Sequence, residues 1–235
     1  MHPGINGPKL KDKPAIIMAG SGDVITHQEL NELSNQGAQL FRSLGLKPGD
    51  SMAFMMENHK LFFPIAFAAW RSGLKYTAIS WRLQANEVEY IVKDCGAKVF
   101  ITSKFLEESA KDLASSLEGV HKFMLDGETE DFKSFEDAIE AMPFEPIQDE
   151  CQGAAMLYSS GTTGRPKAIT HRTGGMLVEQ YKAIALHQNL KPGDHFFWHT
   201  TTGWMMWNYA LGTLLCGGVL CIYDGSPNYP DLGVQ

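Results

Sequence analysis

The strongest constraint on the fold of this chain is the regular alternation of two kinds of segment along its 235 residues. Short apolar runs rich in β-branched or aromatic residues, which are typical of strands, are separated by stretches in which apolar residues recur every three or four positions, the period of a helix face. Strands that are separated by helices pair in parallel through right-handed crossovers. The sequence therefore predicts an α/β fold with mainly parallel sheets.

The first long helix carries both a start signal and a stop signal. Thr26 and Glu29 have the spacing of a capping box, in which each side chain accepts a hydrogen bond from the other residue's free backbone amide. Gly45 and Pro48 are typical of a helix end. Between these signals, three- and four-residue spacing predicts one buried helix face made of Leu30, Leu33, Gly37, Leu40, Phe41 and Leu44.

The same two patterns place the remaining elements. The predicted strands cover residues 15–18, 51–56, 76–80, 98–102, 122–125, 154–158, 195–201 and 219–223. The other predicted helices cover residues 58–73, 84–94, 104–117, 173–187 and 204–216.

The domain organisation follows from one interruption of this alternation. Pro143 and Pro146, with acidic residues beside them, are typical of a connector. We therefore expect a first α/β subdomain at 1–142, a connector at 143–152, and the start of a second α/β subdomain at 153–235. The second subdomain is expected to be incomplete, because the chain stops after a strand and a turn without a closing helix.

Composition excludes several classes of function. The net charge is −7, and no run of Lys or Arg supplies the basic surface that nucleic acid requires. The four cysteines lack a Cys-x-x-Cys spacing, which predicts reduced thiols. His195 and His199 stand four residues apart, but no third ligand follows on the predicted strand, so no metal site is predicted.

The chain shows no signal for export or for crossing a membrane. Its first eight residues lack the apolar core of a signal peptide. The most apolar run, residues 61–70, contains a proline and is too short to span a bilayer. We therefore expect a soluble cytoplasmic protein with no integral membrane association.

The most informative stretch lies directly after the predicted strand 154–158. It reads Tyr158-Ser159-Ser160-Gly161-Thr162-Thr163-Gly164-Arg165-Pro166-Lys167. Glycines let backbone amides approach an anion, hydroxyls donate hydrogen bonds, and a lysine adds positive charge, so the stretch suits a polyphosphate. It is not a Walker A loop, because Pro166 and Ala168 occupy two positions which that motif reserves for other residues. A polar surface turn is the alternative interpretation.

This string closely resembles the phosphate-loop signature of the adenylate-forming superfamily, which contains acyl-CoA synthetases, luciferases and peptide-synthetase adenylation domains. It departs from that signature at Ser159, where threonine is usual, and at Ala168, where glycine is usual. Residues 25–30 and 46–50 resemble early segments of these synthetases. Residues 76–83 and 87–96 are similar to bacterial fatty-acyl-CoA synthetases.

A second resemblance lies in residues 200–208, which are similar to the acyl-side motif of short-chain members and most closely to acetoacetyl-CoA synthetases. Residues 223–227 share that similarity. The resemblance implies a pocket for the carboxylic acid, gated by Trp204 and lined by Thr202, Trp204, Met205 and Met206. Aromatic and thioether side chains also fill protein cores, so an ordinary core segment is the alternative.

The resemblance implies a two-step reaction with ATP, Mg²⁺ bound with the nucleotide, and CoA as co-substrate. The carboxylate of a short or medium acid attacks the α-phosphate, and the CoA thiol then displaces AMP. The implied nucleotide-binding residues are Ser159, Ser160, Gly161, Thr162, Thr163, Gly164 and Lys167. Thr162 and Lys167 are also the expected catalytic residues.

Several parts of the family's machinery are not found in these 235 residues. They include the Tyr-Gly-x-Thr-Glu segment, the later ribose-binding aspartate, the hinge and the C-terminal lysine. The chain is therefore expected to be a fragment without a C-terminal domain and inactive alone. Two rival functions stay open: a stand-alone ATP-binding or assembly module, and an adenylating enzyme with a carrier-protein acceptor. The oligomeric state is also left open, and a homo-oligomer is one alternative.

Overall fold

The computed structural model describes residues 7–159, 167–170, 173–200 and 205–223 of the chain. The strands are Pro14–Met18 (β1), Val24–Thr26 (β2), Ser51–Met55 (β3), Lys75–Ile79 (β4), Ala97–Ser103 (β5), His121–Leu125 (β6), Lys133–Ser134 (β7), Ala154–Ser159 (β8), Lys167–Thr170 (β9), His195–Phe197 (β10) and Val219–Ile222 (β11). The α-helices are Gly7–Leu10 (α1), His27–Ser43 (α2), Phe62–Arg71 (α3), Ala85–Asp94 (α4), Glu107–Ala114 (α5), Phe135–Glu140 (α6), Thr173–Tyr181 (α7), Met205–Ala210 (α8) and Gly212–Leu215 (α9).

These strands form two sheets. A seven-stranded sheet has the order β7-β6-β5-β3-β4-β8-β9, and a four-stranded sheet has the order β10-β11-β1-β2. Neighbouring strands are parallel except in the pairs β8–β9 and β1–β2. The predicted α/β fold with mainly parallel sheets is therefore confirmed.

Strand β3 shows how the larger sheet is packed. All five of its residues are buried. Met52 and Phe54 join the core cluster that contains residues of α2 and α3, whereas Ala53 and Met55 join the cluster that contains residues of α4 and α5. Because successive strand residues face opposite sides, β3 contributes to a core on each face of the sheet, and its residues 52–55 read as a continuous apolar run.

The capping box is confirmed in atomic detail. The Thr26 hydroxyl accepts a hydrogen bond from the Glu29 backbone amide at 3.2 Å, and the Glu29 carboxylate accepts one from the Thr26 amide at 2.8 Å. Helix α2 ends at Ser43, and Gly45 follows with φ 83°, a conformation that favours glycine. The predicted helix is thus bounded by the signals that predicted it.

Other helices differ from their predicted bounds for identifiable reasons. Helix α3 begins at Phe62 rather than residue 58, so Pro64 falls in the first turn, where no backbone donor is needed. The predicted helix 104–117 opens with the 3₁₀ turn Lys104–Leu106. The predicted helix 173–187 continues beyond α7 as the π-helical segment Lys182–His187. The predicted helix 204–216 is divided into α8 and α9.

Five observed elements were not predicted: α1, β2, β7, β9 and α6. Each is only two to six residues long. Periodicity needs a longer window than these elements provide, so their sequences carry too weak a signal.

The predicted boundary at residues 143–152 stays a prediction. Each sheet combines strands from both sides of it, since β8 pairs with β4 and β11 pairs with β1. Strands that are neighbours in a sheet are therefore not always neighbours along the chain.

Across the described ranges, no helix is both long enough and apolar enough to cross a membrane.

His27 provides a test of the fold through its pH dependence. Its side chain is only 3% exposed at the first position of α2, and burial lowers the pKa of the imidazole below its usual 6.5. Below pH 6.5 the His27 imidazole therefore binds a proton more readily in the unfolded chain than in the folded one. The free energy of unfolding falls as the pH falls through this range, and the loss is absent above pH 6.5. We expect His27→Gln to lose less melting temperature than the wild type between about pH 7.5 and about pH 5.5.

The exposed residue His121 supplies the matched control. His121→Gln should retain the wild-type slope of melting temperature against pH. If His27→Gln also retained that slope, the buried imidazole would not be the cause of the acid sensitivity.

Candidate functional site

The predicted phosphate loop connects β8 to β9. The two strands are antiparallel, with Ser159 opposite Lys167, so residues 160–166 join two paired ends. Strand β8 also lies parallel to β4, and the loop follows its carboxyl end. In open α/β sheets, ligands bind outside the carboxyl ends of the strands. The loop is therefore attached at the edge of the sheet where a ligand site is expected.

Helix α2 holds the segment that leads into β8. Asn35 donates a hydrogen bond to the Phe144 carbonyl at 2.6 Å, and Gln39 donates one to the Glu145 carbonyl at 2.9 Å. Between them, Gln36 donates to the carbonyls of Ile139 and Met142 at 3.0 and 3.1 Å. These amide side chains satisfy backbone acceptors that would otherwise need water. Residues 139–145 are thereby fixed against one face of α2.

Two arginines hold the next part of that segment. The Arg42 side chain forms an ion pair with Asp149 at 3.1 Å. Its hydrogen bond and charge lower the pKa of the Asp149 carboxyl. Arg71 forms a 2.6 Å ion pair with Glu150 and is itself 2% exposed. Burial lowers the pKa of Arg71, and the nearby Glu150 carboxylate opposes that shift.

Arg71 is further coordinated from α2. Its Nη1 donates to the Ser34 hydroxyl at 2.7 Å and to the Asn31 carbonyl at 3.1 Å. A buried guanidinium is costly unless its donors find acceptors. Arg71 therefore links α3, α2 and the segment before β8 in one network.

Backbone contacts complete the attachment of β8. The Cys151 amide donates to the Arg71 carbonyl at 3.0 Å, and the Gly153 amide donates to the Trp70 carbonyl at 2.7 Å. A side chain at Gly153 would overlap the Leu74 carbonyl oxygen, so only glycine permits this approach. The register of β8 against β4 is thus set before the strand reaches the loop.

The far end of β8 has a contact of its own. The Tyr158 hydroxyl donates a hydrogen bond to the Asp94 carboxylate at 2.7 Å. Burial, and then this bond to Asp94, raise the pKa of Tyr158. The phenol therefore stays protonated and ties the last residues of β8 to the end of α4.

The structure describes only part of the predicted site. Ser159 and Lys167 are paired at the base of the loop, and Lys167 is exposed. Met205 begins α8, and Met206 is half-buried. The following predicted site residues lie outside the described ranges: Ser160, Gly161, Thr162, Thr163, Gly164, Thr202 and Trp204. Their roles stay predictions.

Next to the predicted acid pocket, Trp207 is a core residue. Its ring stacks on Phe63 with 5.5 Å between centroids and meets Phe62 edge-on at 4.9 Å. It is 4% exposed. Trp207 is therefore part of the hydrophobic core, as the alternative interpretation of residues 200–208 expects. Its burial does not decide the role of Trp204.

Sequence reasoning did not identify Asn58 as a residue of this region. Its side-chain nitrogen donates to the Thr200 carbonyl at 3.3 Å and to the Tyr223 carbonyl at 2.6 Å. Asn58 follows β3, whereas Thr200 and Tyr223 follow β10 and β11, so it joins the carboxyl ends of strands from both sheets. A polar residue three positions after a fully buried strand was the available signal.

No metal site is evident among the residues that the structure describes, where no group of three His, Cys, Asp or Glu side chains is placed to bind an ion. The cationic and hydroxyl-bearing residues 158–167 instead suit an anionic ligand.

Comparison with known proteins identifies one family. The family described as AMP-binding enzyme matches residues 6–234. The acetoacetyl-coenzyme A synthetase of Rhizobium meliloti (strain 1021) is 30% identical over 92% of this chain and 37% of its own length. The 3-hydroxybenzoate–CoA/4-hydroxybenzoate–CoA ligase of Thauera aromatica is 30% identical over 88% of this chain and 40% of its own length.

Among solved structures, the acetoacetyl-CoA synthetase from Streptomyces lividans has a TM-score of 0.88 at 30% identity. The structural match covers 98% of this chain and 38% of the Streptomyces lividans chain. The chain thus spans well under half the length of these relatives.

Gly153 offers a test of how β8 is placed. Because a methyl group there would displace the backbone of residue 74 or 70, Gly153→Ala should lower the free energy of unfolding by about 1–3 kcal/mol. Gly175→Ala is the matched control, since Gly175 lies exposed in α7 with no atom near an added Cβ. It should be neutral or stabilising by up to about 1 kcal/mol. Equal effects of the two substitutions in urea unfolding would contradict the close approach.

Proposed function

The chain belongs to the family of AMP-binding enzymes, and on that premise we propose that it takes part in the ATP-dependent activation of a carboxylic acid. In the first step a carboxylate oxygen attacks the α-phosphorus of ATP, giving acyl-AMP and releasing pyrophosphate. In the second step the thiol of CoA attacks the acyl carbonyl and AMP leaves. The protein would thus be an AMP-forming acid–thiol ligase.

The observation that carries this proposal is the attachment of residues 160–166 between the paired strands β8 and β9, at the carboxyl end of β8. The sequence of the loop supplies hydroxyls, glycines and a lysine, the donor types that suit a polyphosphate. Mg²⁺ would enter with the nucleotide and offset part of the phosphate charge. CoA would be the co-substrate of the second step.

Lys167 and Thr162 have the roles closest to the chemistry in this proposal. The Lys167 ammonium would stabilise the negative charge that grows on the leaving pyrophosphate, and the Thr162 hydroxyl would donate to a phosphate oxygen. Gly161 and Gly164 would allow backbone amides to approach the β- and γ-phosphates. Positioning and electrostatic stabilisation would supply most of the catalysis, as in other phosphate-transfer sites.

For the acid, we propose a short or medium chain. Thr202, Trp204, Met205 and Met206 would border the pocket, and an aromatic gate limits the length of the acid that enters. The Rhizobium meliloti and Streptomyces lividans relatives are named as acetoacetyl-CoA synthetases, which supports a short oxo-acid. The Thauera aromatica relative is named as a hydroxybenzoate ligase, so a panel of acids should include aromatic ones.

A cytoplasmic location, homo-oligomerisation and the inactivity of the 235-residue chain alone stay predictions. The following activity assays therefore use the full reading frame that encodes the chain. If acyl-AMP formed without any CoA thioester, a carrier-protein acceptor would replace CoA. If ATP bound without exchange for any acid, a non-catalytic ATP-binding module would be favoured.

Lys167→Ala tests the phosphate loop. Because the substitution removes a charge that acts mainly in the transition state, acid-dependent exchange of pyrophosphate into ATP should fall by about 10²–10³-fold. The melting temperature should change little, since Lys167 is exposed. The exposed Lys191, placed before β10, provides a matched control, and Lys191→Ala should retain exchange. Equal exchange in wild type and Lys167→Ala would remove the loop from the mechanism.

Trp204→Ala tests the acid pocket. Removing a gating indole should enlarge the pocket. The ratio of kcat/KM for a longer acid to kcat/KM for a shorter acid should therefore rise by about 10-fold or more. Trp198→Ala is the matched control, because this partly exposed indole lies six residues earlier, after β10. An unchanged chain-length profile in Trp204→Ala would contradict the proposed pocket.

A further inference from the structure

Three of the residues that line one small cavity each carry a buried side-chain atom with no hydrogen-bond partner among the residues that the structure describes. These atoms are Asn58 Oδ1, Thr200 Oγ1 and Trp207 Nε1. Thr200 is 7% exposed and Trp207 is 4% exposed. Buried polar atoms are normally hydrogen-bonded, because an unsatisfied one costs free energy. Three such residues around one cavity point to a common partner for their unsatisfied atoms.

The orientation of Asn58 is fixed by its other contacts. Its nitrogen donates to the carbonyls of Thr200 and Tyr223. If the amide were flipped, its oxygen would face those two carbonyl oxygens, which is repulsive. Asn58 Oδ1 is therefore an acceptor that must find its donor elsewhere.

The chemistry of the three atoms is complementary to one small polar molecule. An indole Nε1 only donates, an amide oxygen only accepts, and a hydroxyl does either. The wall otherwise includes apolar side chains such as Phe63 and Leu220. The volume open to the centre of a water molecule is about 10 Å³. That is about the space one water requires, and too little for a larger ligand.

We infer that this cavity is a binding site for one ordered water molecule. The water accepts a hydrogen bond from Trp207 Nε1 and donates one to Asn58 Oδ1. It forms a third hydrogen bond with the Thr200 hydroxyl, which can donate or accept. Three hydrogen bonds are typical of a buried water in proteins. A single molecule thus satisfies all three atoms at once.

The site lies at a junction of the fold. Asn58 follows β3 of the larger sheet, Thr200 follows β10 of the smaller sheet, and Trp207 belongs to α8. Thr200 and Trp207 also flank residues 201–206, which include the predicted acid-pocket residues Thr202 and Trp204. The water therefore couples both ends of that segment to the larger sheet, whatever reaction the protein performs.

The water can be detected in the wild-type chain by NMR. The chain has five tryptophans, and Trp207→Phe assigns the Trp207 indole signal by its disappearance. We expect the Trp207 Hε1 proton to show NOE and ROE cross-peaks with water of opposite sign, the signature of a contact lasting longer than about a nanosecond. Trp81, whose half-buried indole does not line this cavity, should lack that pair of peaks. No peak at Trp207, or equal peaks at both indoles, would overturn the inference.

Two further measurements separate water from its alternatives. In Thr200→Val the cross-peak should persist, whereas its loss would assign it to the Thr200 hydroxyl and count against the water. In a crystal structure of the wild type, a density peak should lie about 2.7–3.2 Å from all three atoms. A direct hydrogen bond between any two of these atoms, with no density peak between the three, would overturn the inference. This test needs no substitution.

Discussion

The buried contact of Arg71 with the segment before β8 is the interaction on which the position of the candidate site depends. The guanidinium is 2% exposed and is satisfied by Glu150, Ser34 and Asn31. A buried ion pair adds little net stability, because desolvation offsets the attraction, but breaking one is costly. Its value here is specific: it joins two helices to residue 150, four residues before β8 begins, and the loop follows that strand directly.

The candidate site also depends on how the two sheets meet. The predicted phosphate loop follows β8 of the larger sheet, whereas the predicted acid pocket follows β10 of the smaller one. Asn58 connects the carboxyl ends of β3, β10 and β11 through two backbone carbonyls. Asn58 therefore connects the end of β3 to the segment that leads into the predicted acid pocket.

The sequence could predict features that are local and could not predict those that depend on distant residues. The capping box at Thr26 and the continuous apolar run of β3 report their own structure through spacing alone. The pairing of β1 with β11 joins segments about two hundred residues apart, and no period in the sequence encodes such a partner. For the site, the loop was found by its resemblance to a family signature, but Arg71 and Asn58 act through partners that only the folded chain brings near.

We propose that residues 158–167 bind the phosphates of ATP, and the most direct test is an NMR titration of the isotope-labelled chain with Mg·ATP. We expect the backbone amide signals of Gly161, Gly164 and Lys167 to shift progressively as nucleotide is added. Adenosine, which lacks phosphates, should leave them unchanged. Shifts confined to other parts of the chain, or equal shifts with adenosine, would contradict the claim.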